Sequence, residues 1–339
     1  MKVAVFSCKP YDKRTLSTHA NNSVLNSNAE DGTVLSMSYF ESRLSMETIS
    51  LVKDFDAVSC FVNDDVNAEV IHCLKQQGVK TIALRCAGFN NVDLEAAKKE
   101  GIKVFHVPDY SPTSVAEHAV ALIMTLNRKT HRAYHRVKEG NFALEGLLGF
   151  NLEGRTVGCI GTGRIGAAFC RIMKGFGCKV LCYDLYPSQE LIDQGCQYIS
   201  LDELYTQSDI ISLHCPLNES THHLINKDSL QKMKDGVMII NTSRGALVHA
   251  QEAIDALYSK KIGYLGLDVY EQENKIFFED MSSHIIQDSV FQLMLTFPNV
   301  VVTGHQGYFT DEALNHIAET TIDNLLHHQN EESYTRQLA

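Results

Sequence analysis

The sequence predicts an α/β protein with two doubly wound parallel-sheet domains. Short runs rich in β-branched residues alternate along the chain with longer segments that have the apolar periodicity of helices. These runs fall into two groups, and a glycine-rich turn follows the first run of the second group. Strands that alternate with helices form crossover units, which bury parallel sheets between helical layers. The two groups therefore indicate two such sheets.

Ten runs are predicted to be strands, four before residue 108 and six after it. In chain order they are residues 3–6, 57–62, 81–84, 104–107, 157–160, 179–183, 210–214, 237–240, 265–269 and 300–303. The segments between them are long enough for the helices that connect parallel strands.

Two prolines mark the boundary between the groups. Pro108 and Pro112 resist regular structure, and the second can open a helix at Thr113 or Ser114. The helix that follows is apolar on opposite sides, so we expect it to be buried, with a second subunit as one candidate for its cover.

A closing helix is predicted after the last strand, because apolar residues between Ala313 and Leu325 recur at helical spacing. No strand follows it, so it must dock on a sheet that already exists. We expect it to return to the first domain. The predicted domains are then residues 1–108 with 309–339, and residues 109–308.

Composition and charge exclude several classes of protein. The 41 acidic and 30 basic side chains leave a formal net charge of −11, which disfavours binding to nucleic acid and to acidic membranes. The longest apolar run, residues 119–124, is far shorter than the roughly 18 residues that cross a bilayer. No export signal is visible, and the ten cysteines include no Cys-x-x-Cys pair. We therefore expect a cytoplasmic protein with reduced thiols.

The glycine-rich segment, Gly161-Thr162-Gly163-Arg164-Ile165-Gly166, lies between a predicted strand and a predicted helix. In this setting the first glycine permits a tight turn, and the second lets the backbone approach a pyrophosphate. The third lets the helix pack closely on the strand, while the helix N-terminus attracts the anion. The segment predicts a dinucleotide site.

Asp184 ends the next predicted strand, near the spacing of about 20 residues at which such sites place an acid. A carboxylate there accepts hydrogen bonds from the ribose hydroxyls and repels the additional phosphate of NADP. No arginine follows in residues 185–187. The predicted cofactor is therefore NAD.

Three ionisable residues, Arg244, Glu273 and His305, follow later predicted strands, at the ends where open α/β sheets bind ligands. Hydride transfer to a ketone leaves an oxyanion, and a histidinium oriented by a carboxylate can give it a proton. The planar fork of an arginine can bind a substrate carboxylate at two points. Taken singly, each of these three residues more often has a structural role.

Eight segments together form a recognisable set: FVNDD (61–65), ALRCAGFNNVD (83–93), VAEHA (115–119), the glycine segment, SLHCPL (212–217), NTSRG (241–245), LDVY (267–270) and TGHQ (303–306). The set resembles the D-2-hydroxyacid dehydrogenase family through nearly the whole chain, and most of all its fermentative D-lactate dehydrogenase branch. The resemblance implies a Rossmann-type NAD domain inserted in a flavodoxin-like substrate domain. It also implies reversible, NADH-dependent reduction of pyruvate to D-lactate.

The resemblance further implies roles for individual residues. Arg244 would bind the substrate, His305 would donate and accept the proton, and Glu273 would pair with that histidine. Further substrate contacts would come from the amides of Ala87 and Gly88 and from Tyr110. The implied cofactor contacts, besides the three glycines, are Arg164, Ile165, Asp184, Cys215, Pro216, Thr221, Thr242, Ser243 and Asp268.

Some features depart from the family pattern or point elsewhere. Asn274 and Gly304 stand where proline is common, and both departures look like the lactate branch. The histidine pairs do not predict a metal site: His131 and His135 lie among basic residues, and the pairs 222–223 and 327–328 are interpreted as exposed.

Two other functions and the assembly stay open. One alternative is a dehydrogenase of a bulkier D-2-hydroxy acid, and the other is a dinucleotide-sensing binding protein similar to corepressor relatives. The expected partners are a small 2-keto or 2-hydroxy acid and further copies of the chain, as a homodimer or homotetramer.

Overall fold

The computed structural model describes residues 1–26, 34–273, 276–326 and 336–339. Asn274 and the pair 327–328 lie outside these residues. The chain divides into two compact units, Met1–Ser111 with Phe309–Ala339 and Pro112–Tyr308. The first crossing between the units thus follows Ser111, whereas the sequence placed the boundary after residue 108.

The strands, in chain order, are β1 Lys2–Val5, β2 Ser36–Tyr39, β3 Ala57–Cys60, β4 Thr81–Leu84, β5 Lys103–Phe105, β6 Thr156–Ile160, β7 Lys179–Tyr183, β8 Gln197–Tyr198, β9 Ile210–Leu213, β10 Val237–Asn241, β11 Ile262–Leu267 and β12 Val300–Val302. The α-helices are α1 Pro10–Asn26, α2 Ala68–Gln76, α3 Leu94–Glu100, α4 Pro112–Arg128, α5 Thr130–Lys138, α6 Arg164–Gly175, α7 Gln189–Asp193, α8 Leu201–Gln207, α9 Lys227–Lys232, α10 Ala250–Tyr258, α11 Ser289–Thr296 and α12 Asp311–Leu326.

The first unit has a parallel sheet in the order β2-β1-β3-β4-β5, which is the flavodoxin-like order. The central strands β3 and β4 are buried along their whole length, as both faces of a doubly wound sheet require. The closing helix α12 packs on α1 and β4, and its Ala318, Ile322 and Leu325 join the core with Val3 and Val5. This unit is therefore built from two separate stretches of chain.

The last residues of the chain cover the edge of this sheet. Leu338 N donates to Val104 O at 2.7 Å, and Val104 N donates to Ala339 O at 3.1 Å. These antiparallel bonds satisfy backbone groups of β5 that would otherwise form an open edge.

The second unit has seven parallel strands in the order β12-β11-β10-β9-β6-β7-β8. From β8 to β11 this is the Rossmann order, extended by β12. The predicted fold class, two doubly wound parallel sheets with a Rossmann-type and a flavodoxin-like topology, is confirmed.

Helix α4 begins at Pro112, within the second unit, and is buried there. It packs on α6, β10 and β11. Residues from both of its apolar sides, including Ala116, Leu122 and Ile123, belong to one core with Met238 and Ile240. The sequence did not decide what buries α4, and the structure shows that the second unit itself buries most of this helix.

Two strands, β2 and β8, were not predicted. The first reads Ser-Met-Ser-Tyr and is only partly buried, and the second has two residues. Both lie at sheet edges, where burial on one side does not require the apolar run that marks a central strand.

Candidate active site

His305 lies just beyond β12 and is paired with Glu273. Its Nδ1 is 2.8 Å from Glu273 Oε1, and both side chains are largely buried, with 19 % and 15 % of their surface exposed. The other carboxylate oxygen, Oε2, accepts a hydrogen bond from Tyr270 N at 2.8 Å. Within the described residues His305 Nε2 has no hydrogen-bond partner. The ring is thus oriented by its first nitrogen and leaves its second nitrogen for a ligand.

The backbone of His305 is left-handed, with φ of 54°, a region that non-glycine residues seldom adopt. His305 N donates to Asp268 O at 2.7 Å, which ties the loop after β12 to the loop after β11. The two loops together hold the imidazole in this conformation.

Asp268 is the centre of a buried hydrogen-bond network that includes residues on both sides of this histidine in the chain. It is 1 % exposed. Oδ1 accepts from Gln306 N at 2.9 Å and from Thr303 Oγ1, and it lies 3.2 Å from His118 Nε2. Oδ2 accepts from Gly307 N at 2.7 Å. The carboxylate therefore fixes the residues on both sides of His305.

Burial alone would raise the pKa of Asp268, but the hydrogen bond and charge of His118, with further hydrogen bonds from Thr303 and Gln306, outweigh it. The pKa of this carboxyl lies below its ordinary value as a result. Asp268 is thus a stable buried anion.

Arg244 follows β10 in a loop that packs on the loop carrying Glu273. A Cβ on the next residue, Gly245, would stand 2.1 Å from the carbonyl carbon of Tyr270, so only glycine allows this approach. Nη1 of Arg244 donates to Ser243 O at 2.8 Å. In the part of the chain that the structure describes, the guanidinium pairs with no carboxylate. Its remaining N–H groups can bind an external anion.

The glycine segment joins β6 to α6. Gly161 has φ of 91°, and a Cβ there would stand 2.5 Å from Cys215 N. A Cβ on Gly166 would stand 2.0 Å from Gly161 O, which shows how closely the helix approaches the strand. Gly163 precedes α6 and supplies no side-chain cap, so the helix N-terminus suits an anion. Arg164 and Ile165 are the first two residues of α6.

Asp184 lies directly after β7 and is bound to the glycine segment. Its Oδ2 accepts from Thr162 N at 2.6 Å, and its Oδ1 accepts from Tyr186 N at 2.9 Å. Tyr198 supports the arrangement by donating from its hydroxyl to Thr162 Oγ1 at 2.8 Å. The carboxylate is thereby fixed beside the turn.

The remaining predicted cofactor contacts follow β9 and β10. Ser243 Oγ donates to Cys215 O at 2.7 Å, which joins the two loops. Thr221 Oγ1 donates to Pro216 O at 2.7 Å. Thr242 Oγ1 is buried and has no hydrogen-bond partner among the described residues. A buried hydroxyl without a partner is costly in a folded protein, so it fits a site that a ligand hydroxyl or amide completes.

Neither Cys215 nor His214 fits a role in covalent or acid–base chemistry. Burial raises the pKa of the Cys215 thiol to about 11. Burial lowers the pKa of His214 to about 3, and its Nε2 contacts Ser212 Oγ at 2.9 Å. The thiol therefore stays protonated and the imidazole neutral near pH 7.

Ala87, Gly88 and Tyr110 belong to the first unit. Ala87 O is 2.9 Å from His106 Nδ1, and Cys86 Sγ donates to Gly88 O at 3.1 Å. Tyr110 O is 3.1 Å from His316 Nδ1. The carbonyl groups of these residues are thus engaged within the unit.

A buried arginine lies directly before the segment that contains Ala87 and Gly88, and the sequence analysis assigned no role to this arginine. Arg85 is 1 % exposed. It donates to Phe6 O at 2.8 Å and to Ser59 O at 3.1 Å, which joins the carboxyl ends of β1 and β3 to that of β4. Asp64 also binds these strand ends, accepting from Phe61 N at 2.6 Å and Ser7 Oγ at 2.7 Å. Arg85 is a charged residue within an apolar segment, which is the signal that could have identified it. Asp64 lies between Asn63 and Asp65 and gives no such signal.

Two groups of side chains in the described residues have ligand atoms close enough to share a metal ion. One is His222, His223 and Glu271 near the surface, and the other is a buried group of three cysteines. The pair His131 and His135 does not belong to either group. Burial and the charge of Arg132 lower the pKa of His131.

The predicted residues of the second unit all follow strands of one parallel sheet, so they share its carboxyl edge. Direct contacts unite His305 with Glu273, Ser243 with Cys215, and the Asp184 strand end with the glycine segment. The sequence missed His118 and Thr303, because their importance lies in contacts with Asp268 that no local pattern reveals.

Comparison with known families identifies residues 120–307 with the D-isomer specific 2-hydroxyacid dehydrogenase family, in its NAD binding domain. This range lies within the second unit and contains the glycine segment, Asp184, Arg244, Glu273 and His305. The predicted NAD cofactor is confirmed, and the buried Thr242 hydroxyl and uncapped α6 terminus fit such a ligand.

Individual relatives and solved structures are also similar to this chain, over all or nearly all of its length. It is 48 % identical to D-lactate dehydrogenase of Escherichia coli strain K12, over 100 % of both chains. The apo-structure of D-lactate dehydrogenase from Escherichia coli matches with a TM-score of 0.89 and 47 % identity, again over 100 % of both chains. D-lactate dehydrogenase from Aquifex aeolicus, complexed with NAD and lactic acid, matches with a TM-score of 0.82 and 36 % identity over 96 % of this chain and 94 % of the other.

Proposed function

The chain belongs to the D-isomer specific 2-hydroxyacid dehydrogenase family, and on this premise we propose that it is an NAD-dependent D-lactate dehydrogenase that reversibly reduces pyruvate. Full-length similarity to the Escherichia coli enzyme supports the choice of substrate. The observation that carries the proposal is the 2.8 Å contact between His305 Nδ1 and Glu273 Oε1, which directs Nε2 away from the protein's own hydrogen bonds.

His305 is the proposed proton donor. When both ring nitrogens carry hydrogen, Nδ1 donates to Glu273 and Nε2 donates to the keto oxygen of the substrate. As that oxygen becomes an alkoxide, the proton moves to it from Nε2 and leaves a neutral ring. In the reverse direction Nε2 accepts the hydroxyl proton of lactate. Glu273 keeps the ring oriented throughout, because its second oxygen is anchored by Tyr270 N.

Arg244 is the proposed binding group for the substrate carboxylate. One N–H of its guanidinium is held by Ser243 O, which fixes the plane of the fork. The other donors can form two parallel hydrogen bonds with a carboxylate, the geometry that suits arginine and not lysine. We also propose that the amides of Ala87 and Gly88 and the side chain of Tyr110 contact the substrate, as the family resemblance implies.

NADH, when bound, supplies the hydride that reduces the keto carbon. The residues proposed to hold it are the glycines 161, 163 and 166, Arg164, Ile165, Asp184, Cys215, Pro216, Thr221, Thr242 and Ser243. Asp184 would accept hydrogen bonds from the adenosine ribose, and the α6 N-terminus would bind the pyrophosphate.

Asp268, which the resemblance places near the nicotinamide, has both carboxylate oxygens engaged by the protein. We therefore propose that it acts mainly as a positioning residue for His305. Its bonds to Gln306 N and Gly307 N set the path of the chain directly after the imidazole.

We further propose that the protein forms a homodimer or homotetramer. Helix α5 contributes no buried residue, and the segment after it exposes Phe142, Leu144 and Leu148, the last by 87 %. Exposed apolar side chains that are close together in the sequence favour contact with a second copy of the chain. Sedimentation analysis of Leu148→Glu should show a smaller species than that of the unaltered chain.

We also propose that the protein works in the cytoplasm. All ten cysteines are free thiols, nine of them buried, as expected where thiols stay reduced. None of the described helices has the length and apolar character needed to span a membrane.

The proposed activity is tested by following NADH oxidation with pyruvate, oxaloacetate, phenylpyruvate and glyoxylate, and by chiral analysis of the product. The proposal predicts the highest kcat/KM with pyruvate and D-lactate as the product. A preference for phenylpyruvate would instead identify a dehydrogenase of bulkier D-2-hydroxy acids. NADH binding without turnover of any of the four acids would favour a dinucleotide sensor.

A further inference from the structure

Three cysteines from different parts of the second unit converge in its interior. Cys170 lies on α6, Cys182 on β7, and Cys196 in the turn between α7 and β8. Their sulfur atoms all lie within 4.8 Å of one another, and the sulfurs of Cys170 and Cys182 are 3.7 Å apart. None of them forms a disulfide. We call these residues the thiol cluster.

We propose that the thiol cluster is a binding site for one thiophilic metal ion of the Zn²⁺ or Cu⁺ class. Thiolates select such soft d¹⁰ ions over Mg²⁺ or Ca²⁺. Zinc–sulfur bonds are about 2.3 Å long, so tetrahedral geometry places two sulfur ligands about 3.8 Å apart. The distance between Cys170 and Cys182 already matches this value. A small movement of Cys196 would complete a three-sulfur set.

The protons and charges of the cluster are compatible with binding. An entering ion displaces the three thiol protons to solvent, and three sulfur–metal bonds replace three S–H bonds. A basic side chain, that of Lys174, lies near the sulfur of Cys196. Lys174 Nζ also lies 3.4 Å from Gly195 O, directly beside the cluster. A cation thus lies near the sulfurs that become thiolates when the ion binds.

A fourth sulfur determines which ion fits better. Cys159, on β6, interacts with Cys170 and donates to Gly161 O at 3.3 Å. Structural zinc sites use four ligands, whereas Cu⁺ accepts three thiolates. If Cys159 turns from Gly161 O toward the cluster, the site becomes tetrahedral and suits Zn²⁺. If it does not, the site is trigonal and suits Cu⁺.

The cluster is independent of the residues proposed for catalysis. A metal ion there would bind α6, β7 and the turn before β8 to one another, because each supplies one ligand. The expected result is a more stable second unit, since a ligand that binds only the folded state raises its stability. The competing explanation is that these cysteines merely fill the core as small apolar side chains.

The test uses the full-length protein, purified under reducing and oxygen-free conditions. Cd²⁺ serves as the first probe, because thiolate ligands give it a sulfur-to-metal charge-transfer absorption band. Native mass spectrometry with Zn²⁺ and with Cu⁺ then counts bound ions. We expect one ion per chain and, near saturation, a rise of roughly 5–10 °C in the unfolding midpoint.

Two variants and a control separate binding from packing. Cys196→Ala and Cys182→Ala should each lose the absorption band and the bound ion while keeping the circular dichroism of the folded protein. Cys73→Ser is the control, because Cys73 is the one cysteine that is not buried and it lies in the first unit. Weaker Zn²⁺ binding in Cys159→Ser would assign a four-sulfur site, and unchanged binding a three-sulfur site.

The proposal fails if the unaltered protein shows no charge-transfer band and no bound ion. It also fails if Cys196→Ala and Cys182→Ala both bind Cd²⁺ as the unaltered protein does, since the ion then lies elsewhere.

Discussion

Replacement of Asp268 by asparagine should destabilise the protein and slow catalysis together. The side chain is 1 % exposed and accepts hydrogen bonds at both oxygens, from Gln306 N at Oδ1 and from Gly307 N at Oδ2. An asparagine keeps one acceptor oxygen, and its NH₂ group meets donors on the other side. At least one buried donor therefore stays unpaired, and His118 loses its charged neighbour at 3.2 Å.

The size of the effect follows from these losses. A buried donor without a partner costs about 1–3 kcal/mol, and His118 Nε2 also loses a carboxylate neighbour at 3.2 Å. Since asparagine retains part of the network, we expect the free energy of unfolding to fall by roughly 2–5 kcal/mol. Displacement of His305 by about 1 Å would add a decrease in kcat of roughly 100-fold.

The pH dependence has a definite sign. The pKa of Asp268 is lowered in the folded protein, so its contribution to stability is complete above its unfolded pKa of about 3.9. The contribution is lost as the pH falls through the folded pKa. The stability difference between the unaltered protein and Asp268→Asn should therefore shrink as the pH falls below about 4.

Urea unfolding at a series of pH values measures this difference. Asp255→Asn is the matched control, because Asp255 is exposed and accepts one side-chain hydrogen bond, from Gln251. The control should change stability by less than about 0.5 kcal/mol. A difference for Asp268→Asn that is equally small, or that does not shrink in acid, would refute the assignment of Asp268 as a charged structural centre.

Three further predictions concern the candidate site. Glu273→Gln should lower kcat for pyruvate by at least about tenfold with NADH affinity retained, and an unchanged kcat would contradict the pairing role. Arg244→Lys should raise KM for pyruvate and lower kcat, because the charge remains but the two-point geometry is lost; unaltered values of both would exclude the proposed carboxylate contact. Asp184→Ser should weaken NADH binding about 10- to 100-fold in a fluorescence titration and reduce discrimination against NADPH, whereas full discrimination would show that another group excludes the phosphate.

The strands could be predicted from the sequence wherever they are buried on both faces. Residues 237–240 are continuously apolar and residues 57–62 are apolar except for Ser59, since each run lies between two helical layers. Edge strands lack this constraint. Strand β2 has two serines in four residues, and its pairing with β1 depends on main-chain groups that composition does not reveal.

The candidate site also contains residues that the sequence could predict and interactions that it could not. Gly161, Asp184 and His305 occur at strand ends in sequence patterns with a direct physical reason, so they could be proposed as site residues without coordinates. The interactions of Asp268 could not. His118 lies about 150 residues away along the chain, and only the packing of α4 on the sheet brings it to this carboxylate.

The thiol cluster could not be predicted from the sequence either. Cys170, Cys182 and Cys196 are separated by a dozen or more residues and follow no metal-binding spacing. They meet because α6 packs on β7 and because the turn before β8 returns to the same place.

Proton transfer by His305 is the central claim, and kcat for pyruvate reduction by His305→Asn tests it most directly. Asparagine tolerates the left-handed backbone but cannot serve as the acid. His223→Asn is the matched control, because His223 is also left-handed, with φ of 50°, and its Nε2 lies 2.7 Å from Glu271. We predict that His305→Asn loses at least about 100-fold in kcat while NADH binding stays unchanged, and that the control keeps both. Turnover by His305→Asn equal to that of the control would contradict the account.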